Sequence, residues 1–188
     1  MILSGQARLA GVIGWPVAHS RSPRVHGYWL EQHGIDGAYV PLAVRPGAVE
    51  PVVRALAAAG FRGLNVTVPH KEAVLDMCDA VDETARRVGA VNTLVFEGER
   101  ILGRNTDGFG FVENMRAGAP GWRADAGPAV VLGAGGAARA VAAALADRGA
   151  PEVRIANRTA ARAESLAASL GGPVRAVPWA ARDTALSG

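Results

Sequence analysis

The chain has 188 residues, of which 49% are hydrophobic and 20% charged, a composition that supports a buried core and excludes low-complexity disorder. Its formal net charge is +3, but arginines and acidic residues are interspersed, which argues against a nucleic-acid-binding surface. The one cysteine, Cys78, cannot form an intramolecular disulfide, and the Cys and His residues lack metal-ligand spacing. No apolar run has the length of a membrane span, and residues 1–5 lack signal-peptide features. We therefore expect a cytoplasmic protein without metal, membrane or nucleic-acid partners.

Short apolar runs alternate with helical patterns, which predicts an α/β fold with a mostly parallel sheet. In chain order the first 117 residues predict strand 9–14, helix 22–34, strand 38–42, helix 49–59, strand 64–68, helical segments 72–88, a hairpin of 91–96 and 100–104, and a helix from 107 to about 117. Ser22 and Asp107 are the predicted caps of their helices, and Pro23 suits a first turn.

Residues 118–128 are rich in glycine and proline, which predicts a linker between domains 1–117 and 129–188. The second domain has the pattern strand 129–132, helix 136–148, strand 152–156, helix 159–170 and strand 174–177. This βαβαβ succession is the first half of a doubly wound, Rossmann-type nucleotide-binding fold.

Lys71 is the only lysine in the chain, beside nineteen arginines. An ammonium group can both carry a positive charge and release a proton, whereas a guanidinium does not deprotonate in proteins. Lys71 is therefore a candidate catalytic residue, and the alternative is a surface lysine beside a turn.

A glycine-rich turn joins the strand at 129–132 to its helix, and its residues are Gly133, Ala134, Gly135, Gly136 and Ala137. Such a turn lets the backbone approach a pyrophosphate, which the helix N-terminus then binds. The next strand ends at Asn157, Arg158 and Thr159, followed by Arg162, where an NAD site usually has an acid. Two arginines and a hydroxyl suit a 2'-phosphate, so NADP is favoured over NAD unless the arginines only form an exposed helix face.

Polar residues also follow the strands of the first domain. Ser20 and Ser22 stand at a helix N-terminus, which favours an anion such as a carboxylate. Thr67 and Lys71 follow the carboxyl end of a strand, where ligands bind in open α/β sheets. Asn92 adds an amide, and Asp107 adds a carboxylate; cap or turn chemistry is the alternative for each.

Five segments together resemble the shikimate dehydrogenase family, and the resemblance extends from Leu9 to about Leu170. The segments are 14–26, 65–71, 89–93, 103–108, and 133–138 with 157–159. The resemblance implies reversible reduction of 3-dehydroshikimate to shikimate by NADPH, in the route through chorismate to aromatic amino acids. It implies that Ser20 and Ser22 hold the substrate carboxylate and that Thr67, Asn92 and Asp107 bind ring hydroxyls. Lys71 and Asp107 would be the catalytic pair, with Lys71 also contacting the substrate.

Family members extend beyond the length of this chain, so the resemblance implies a truncated form without the second half of the nucleotide-binding sheet. A final helix, and a tyrosine and a glutamine of the substrate pocket, would be absent with it, and the strand at 174–177 would be an exposed edge. Two alternatives stay open: an NAD-dependent quinate/shikimate dehydrogenase, and a catalytically incomplete module that binds shikimate or nucleotide. The oligomeric state is open as well, with a homodimer as the assembly to test.

Overall fold

The computed structural model of the protein describes residues 2–186. The chain forms two compact units, the first made of residues up to Arg86 together with Ala90–Arg104, and the second of Arg87–Gly89 together with residues from Asn105 onward. Each unit has an α/β architecture of its own.

The first unit contains a six-stranded sheet in the order β2-β1-β3-β5-β6-β4. The elements in chain order are β1 (Arg8–Gly14), α1 (Ser22–Gln32), β2 (Gly37–Ala43), α2 (Val49–Ala58), β3 (Gly63–Val66), β4 (Ala80–Val81), α3 (Glu83–Val88), β5 (Thr93–Glu97) and β6 (Arg100–Arg104). β1 runs parallel to β2 and β3, and β4 parallel to β6, whereas β5 is antiparallel to β3 and β6. The predicted mostly parallel sheet and the predicted hairpin are both confirmed.

The core of this unit lies on one face of the sheet, against α2. Leu64 and Val66 of β3 are buried there, and Val53 of α2 is fully buried. Because successive side chains of a strand point to opposite faces, Asn65 between them lies on the other face, where it meets Tyr39. The apolar alternation of β3 therefore decides which polar side chains reach that second face.

The prediction of helical segments over 72–88 is wrong for most of that range. The structure has turns up to Asp79, then β4, and a helix only at α3. The Asp79 backbone N–H donates to the Ile101 carbonyl oxygen at 2.9 Å. The Asp79 carboxylate in turn accepts a hydrogen bond from the Ile101 backbone N–H at 2.7 Å. The Asp82 carboxylate accepts the Ala85 N–H at 2.6 Å at the start of α3. Pairing with β6 thus overrides the local helix propensity of this segment.

The second unit holds α4 (Asp107–Gly118), β7 (Ala129–Leu132), α5 (Gly136–Asp147), β8 (Val153–Ala156), α6 (Ala160–Leu170), β9 (Val174–Val177) and α7 (Arg182–Ala185). The three strands are parallel in the order β7-β8-β9, which confirms the predicted βαβαβ succession. In the doubly wound order a fourth strand pairs with the first, so the edge at which that order continues is that of β7 rather than of β9.

The division between the units falls at Arg104, before α4, whereas the sequence predicts a boundary at 118–128. α4 belongs to the second unit because it packs on α5 through Gly108. A Cβ at Gly108 would lie 3.0 Å from the Ala140 carbonyl oxygen and 3.1 Å from the Ala144 Cβ. Small residues on both helices permit this approach. The glycine and proline content of residues 118–128, on which the predicted boundary rests, gives no information about this contact.

Cys78 is a half-buried free thiol that donates a hydrogen bond to the Val74 carbonyl oxygen at 3.1 Å. Burial, and then the Asp79 carboxylate, raise its pKa to about 11, so the thiol is neutral at physiological pH. Residues 2–186 contain no cluster of His, Cys, Asp and Glu that could hold a metal ion. Across that same range, no helix has both the length and the apolar character required to cross a bilayer.

Candidate functional site

The carboxyl ends of β1 and β3 lie side by side in the first unit. The Thr67 N–H donates to the Ile13 carbonyl oxygen at 2.9 Å, and the Trp15 N–H donates to the Val68 carbonyl oxygen at 2.9 Å. The segments that follow the two strands, which carry the predicted substrate-site residues, are therefore fastened to each other at one edge of the sheet.

Gly14 permits this close approach because it has no side chain. A Cβ there would lie 2.5 Å from the Thr67 Cγ2 and 3.2 Å from the Val68 carbonyl oxygen. Both peptide bonds that precede the neighbouring prolines, Trp15-Pro16 and Val68-Pro69, are cis.

We expect Gly14→Ala to lower the free energy of unfolding by about 1–3 kcal/mol, the usual cost of overpacking a closed site. Gly27→Ala is the matched control, since a Cβ at this position in α1 meets no described atom within 4 Å. This control should stabilise the chain by about 0.5–1 kcal/mol through helix propensity. Denaturant unfolding of both variants is the measurement, and equal effects would show that the approach of Thr67 to Gly14 does not limit packing.

The N-terminus of α1 differs from its prediction, because Ser22 is the first helical residue and not the cap. Arg21 is the cap residue, without a side-chain capping bond. The Ser20 hydroxyl instead accepts the Ser22 N–H at 3.3 Å, and both serines are half-buried. The site therefore combines two hydroxyls with the positive end of the helix dipole, a combination that suits a carboxylate.

Lys71 lies in the turn after β3, half-buried, with its backbone held on both sides. Its carbonyl oxygen accepts the Val91 N–H at 2.7 Å, and the preceding His70 donates its N–H to the Thr67 carbonyl oxygen at 3.0 Å. The His70 ring is 2% exposed, and its Nε2 lies 2.7 Å from the Val44 carbonyl oxygen. His70 was not among the predicted site residues, although it stands in the same motif; it anchors the turn that presents Lys71.

Asn92 lies at the same edge as Thr67 and Lys71, just before β5. Its carbonyl oxygen accepts the Val66 N–H at 2.8 Å, and its N–H donates to the Arg104 carbonyl oxygen at 3.0 Å. The Asn92 side chain is buried, at 8% exposure. Its Oδ1 accepts a hydrogen bond from the Thr93 hydroxyl at 2.9 Å.

Side-chain hydrogen bonds connect the neighbouring Thr93 to Asn65 of β3 and Tyr39 of β2. The Tyr39 hydroxyl donates to the Asn65 Oδ1 at 2.6 Å, and the Asn65 Nδ2 donates to the Thr93 Oγ1 at 3.3 Å. Burial raises the pKa of Tyr39 to about 12, while the Ser22 side chain acts in the opposite direction. Neither Tyr39 nor Asn65 was predicted as a site residue, because their partners are distant in sequence.

His26 of α1 covers the Tyr39 ring. The two rings stack with centroids 4.0 Å apart and planes 4° from parallel, and Trp29 contacts the His26 ring edge-on at 5.2 Å. Burial lowers the pKa of His26 from its usual value of 6.5, so the neutral imidazole is the stacked form.

This lowered pKa predicts that the chain becomes less stable in mild acid. The unfolded chain binds more protons than the folded chain as the pH falls through 6.5, so the free energy of unfolding decreases in that window. We expect His26→Phe, which keeps an aromatic ring over Tyr39, to flatten the dependence between about pH 5 and pH 7.5. Urea unfolding across this range is the measurement, with the exposed His19→Gln as control, and an unchanged slope in His26→Phe would contradict the assignment.

In the second unit, the glycine-rich turn follows β7 as predicted. The Gly133 N–H donates to the Ala156 carbonyl oxygen at 2.8 Å, and its φ of 118° lies in a region that favours glycine. Ala134 is buried, whereas a Cβ at Gly135 would meet no described atom within 4 Å. α5 then begins at Gly136, with Ala137 next, and has no side-chain cap bond. The turn thus leaves an open backbone surface at a helix N-terminus, which fits a pyrophosphate.

The end of β8 carries the other predicted nucleotide residues. The Asn157 Nδ2 donates to the Thr159 carbonyl oxygen at 2.9 Å. The backbone N–H of Arg162 donates to the same oxygen at 3.1 Å. Arg158, Thr159 and Arg162 are exposed. These residues offer two guanidinium groups and a hydroxyl, which are donors that fit a 2'-phosphate. None of the three is an acid, which would repel a 2'-phosphate.

Asp107 belongs to the second unit, where it is half-buried and is the first residue of α4. The prediction that Asp107 caps the helix is wrong, because Asp107 is the first helical residue and Thr106 occupies the cap position without a side-chain capping bond. The Asn105 Oδ1 accepts the Asp107 N–H at 3.1 Å. The Asp107 carboxylate is therefore placed at the positive end of α4 without serving as its cap.

A cavity of about 390 Å³ lies between α1 and the first two strands, away from the strand-edge residues. Arg8, Trp29, His33 and Arg62 contribute to its lining, together with His26 and Tyr39. No predicted substrate-site residue lines this cavity.

The two units define the class of α/β proteins that combine a polar site at strand ends with a Rossmann-type dinucleotide-binding unit. A family model for the shikimate dehydrogenase substrate binding domain matches residues 12–94, and one for shikimate / quinate 5-dehydrogenase matches residues 123–187. The chain belongs to the shikimate dehydrogenase family.

Three similar proteins support this assignment. A shikimate dehydrogenase (NADP(+)) from Paramagnetospirillum magneticum is 64% identical over 99% of this chain and 68% of that protein. A crystal structure of shikimate 5-dehydrogenase from Thermus thermophilus in complex with NADP(H) and shikimate has a TM-score of 0.81 and 44% identity, covering 91% of this chain and 63% of that one. Quinate dehydrogenase from Corynebacterium glutamicum in complex with NAD has a TM-score of 0.85 and 32% identity, covering 97% and 68%. The chain thus spans about two thirds of the length of these relatives.

Proposed function

We propose that this chain provides the substrate site and the adenine-side nucleotide site of an NADP-dependent shikimate dehydrogenase, which reversibly reduces 3-dehydroshikimate to shikimate. The observation that carries the proposal is the gathering of Thr67, Lys71 and Asn92 at one sheet edge, beside the segment that leads from β1 into α1. Similar proteins are named shikimate dehydrogenase, which identifies shikimate as the candidate substrate. The strand-edge geometry suits this molecule.

The strand-edge residues suit a ring that carries one carboxylate and several hydroxyls. Ser20 and Ser22 offer two hydroxyls beside a helix N-terminus for the carboxylate. Thr67 and Asn92 offer a hydroxyl and an amide, which can bind hydroxyl groups as donors or acceptors. We therefore place the substrate between the start of α1 and the turn that carries Lys71.

Lys71 has the proposed role of general acid. Bound NADPH supplies the hydride for the substrate ketone. The Lys71 ammonium polarises the carbonyl oxygen and donates a proton to it, which removes the negative charge that would otherwise develop there. The role expected for Asp107, in binding a ring hydroxyl and acting with Lys71, stays a prediction that Asp107→Asn would test.

The nucleotide-site residues fit NADP in this proposal. Gly133, Gly135 and Gly136 would accommodate the pyrophosphate at α5, and Arg158 with Arg162 would bind the 2'-phosphate. The reaction is placed in the cytoplasm, where such a soluble cofactor and a free Cys78 thiol are compatible with the reducing conditions. A homodimer is the assembly to test by sedimentation.

The decisive experiment is NADP-dependent oxidation of shikimate by this chain, followed through the absorbance of the reduced cofactor. NAD and quinate are run in parallel, because the similar quinate dehydrogenase was solved with NAD. Turnover with shikimate and NADP supports the proposal, and preference for NAD or quinate contradicts its specificity. Calorimetric binding of shikimate without turnover would instead favour a module that binds but does not catalyse.

A further inference from the structure

We propose that Thr93 is a positioning residue of the substrate site, which holds the side-chain amide of Asn92 so that its Nδ2 group faces a ring hydroxyl of the substrate. Thr93 is the first residue of β5 and follows Asn92 directly in the chain. This inference rests on the proposed function, because that function assigns Asn92 to the hydroxyl groups of the substrate.

The orientation of the neighbouring Asn65 amide is set by a backbone carbonyl group, which can only accept a hydrogen bond. The Asn65 Nδ2 lies 3.5 Å from the Asn92 carbonyl oxygen, a position that suits the nitrogen of the amide and not its oxygen. On the other side of the amide, the Asn65 Oδ1 accepts the Tyr39 hydroxyl at 2.6 Å. Both contacts agree with the same assignment of nitrogen and oxygen in Asn65.

The Thr93 hydroxyl is met by this donor and directs its own proton to Asn92. The Asn65 Nδ2 donates to the Thr93 Oγ1 at 3.3 Å. The hydroxyl has one proton, and the Asn92 Oδ1 accepts it at 2.9 Å. If the Asn92 amide were turned the other way, two N–H groups would point at the Thr93 oxygen, and the Thr93 proton would lose this acceptor.

The Asn92 amide is therefore held in one direction. Its side chain is buried, so an Oδ1 without a donor would be costly, and Thr93 supplies that donor. Because the amide group is planar, a bond that fixes the Oδ1 also fixes the direction of the Nδ2 hydrogens. The Nδ2 is then the donor to the oxygen of a ring hydroxyl, and Thr93 acts on the substrate only through it.

The test is the dissociation constant of shikimate for this chain and its variants, measured by calorimetry. Thr93→Val keeps the branched shape that suits a strand but removes the hydroxyl, and we expect about 3–10-fold weaker binding from the loss of one oriented hydrogen bond. Thr93→Ala removes the hydroxyl without placing a methyl group there, so it should give a similar loss. Thr93→Ser, which keeps the hydroxyl, should bind within about twofold of the unsubstituted chain.

Thr184→Val is the matched control, because it makes the same chemical change at an exposed residue of α7 in the second unit. The Thr184 hydroxyl donates to the Ala181 carbonyl oxygen at 2.9 Å. Shikimate should bind this variant as it binds the unsubstituted chain.

A double variant shows whether Thr93 acts through Asn92. Asn92→Ala removes the amide that Thr93 is proposed to hold. In that background Thr93→Val should therefore weaken shikimate binding by less than about a further twofold. A role of Thr93 that is independent of Asn92 would instead give losses that multiply.

A second ligand separates this role from a general effect on the fold. Cyclohexene-1-carboxylate has the carboxylate of shikimate but none of its hydroxyls. Thr93→Val and Thr93→Ala should therefore bind it within about twofold of the unsubstituted chain, although both bind shikimate more weakly.

Three results would overturn the positioning role of Thr93 while leaving the proposed function intact. They are unchanged shikimate binding in folded Thr93→Val and Thr93→Ala, equal losses for the two ligands, and fully multiplicative losses in the double variant. Failure of the unsubstituted, folded chain to bind shikimate would overturn the proposed function and this inference with it.

Discussion

Replacement of Lys71 by alanine is expected to lower the turnover number for shikimate oxidation by roughly 10²–10⁴-fold, the range for loss of a general acid or base. The Michaelis constant should change little, because the proton that Lys71 donates is required mainly in the transition state. The surrounding structure should survive, since the turn is held by the Lys71 carbonyl oxygen and by the buried His70. Steady-state kinetics in a form with the full length of the relatives is the measurement.

Lys71→Arg separates the charge of this residue from its proton. A guanidinium retains the positive charge but does not release a proton, so this variant should remain as impaired in turnover as Lys71→Ala. Full activity in the arginine variant would show that Lys71 acts only by polarising the carbonyl group. A raised Michaelis constant with unchanged turnover in the alanine variant would place Lys71 in binding alone.

The Arg158→Asp variant is expected to shift the preference between NADP and NAD by on the order of 100-fold towards NAD. Loss of one charge-assisted hydrogen bond accounts for about 10–100-fold, and a carboxylate would in addition repel the 2'-phosphate. The same carboxylate can accept a hydrogen bond from the ribose 2'-hydroxyl of NAD. The ratio of kcat/KM values for the two cofactors is the measurement.

Arg116→Asp provides the control for the cofactor experiment, because it makes the same change of charge in the last turn of α4. Arg116 is exposed and pairs with Glu113 at 2.9 Å. Its substitution should leave the cofactor ratio unchanged. A similar shift in both variants would mean that total charge, rather than a contact of Arg158 with the 2'-phosphate, determines the preference.

The second unit shows where sequence patterns are sufficient. β7 and β9 have their predicted bounds, and α5, β8 and α6 deviate from theirs by only one residue at an end. Its signals are local, because a glycine turn, apolar strands and helix periodicity each act over a few residues. The same holds for Lys71 and Gly133, which were found from residue type and from the strand that precedes them.

Local signals were insufficient where distant segments pair. Most of the segment at 72–88 is not helical, in contrast to its prediction, because Asp79 hydrogen-bonds to Ile101, which is 22 residues further on. α4 joins the second unit because Gly108 permits contact with Ala140 and Ala144. Neither partner can be inferred from the propensity of the segment itself.

The sequence by itself therefore determined the α/β class, the nucleotide turn, the family and the candidate residues from Ser20 to Arg162. Tertiary structure decided which side chains support the substrate-site residues. The buried His70 ring lies against the Val44 carbonyl oxygen, and the Tyr39 hydroxyl donates a hydrogen bond to Asn65, 26 residues away. The physical reason is that a buried polar side chain must find a hydrogen-bond partner, and the partner is selected by strand order and register rather than by neighbouring residues.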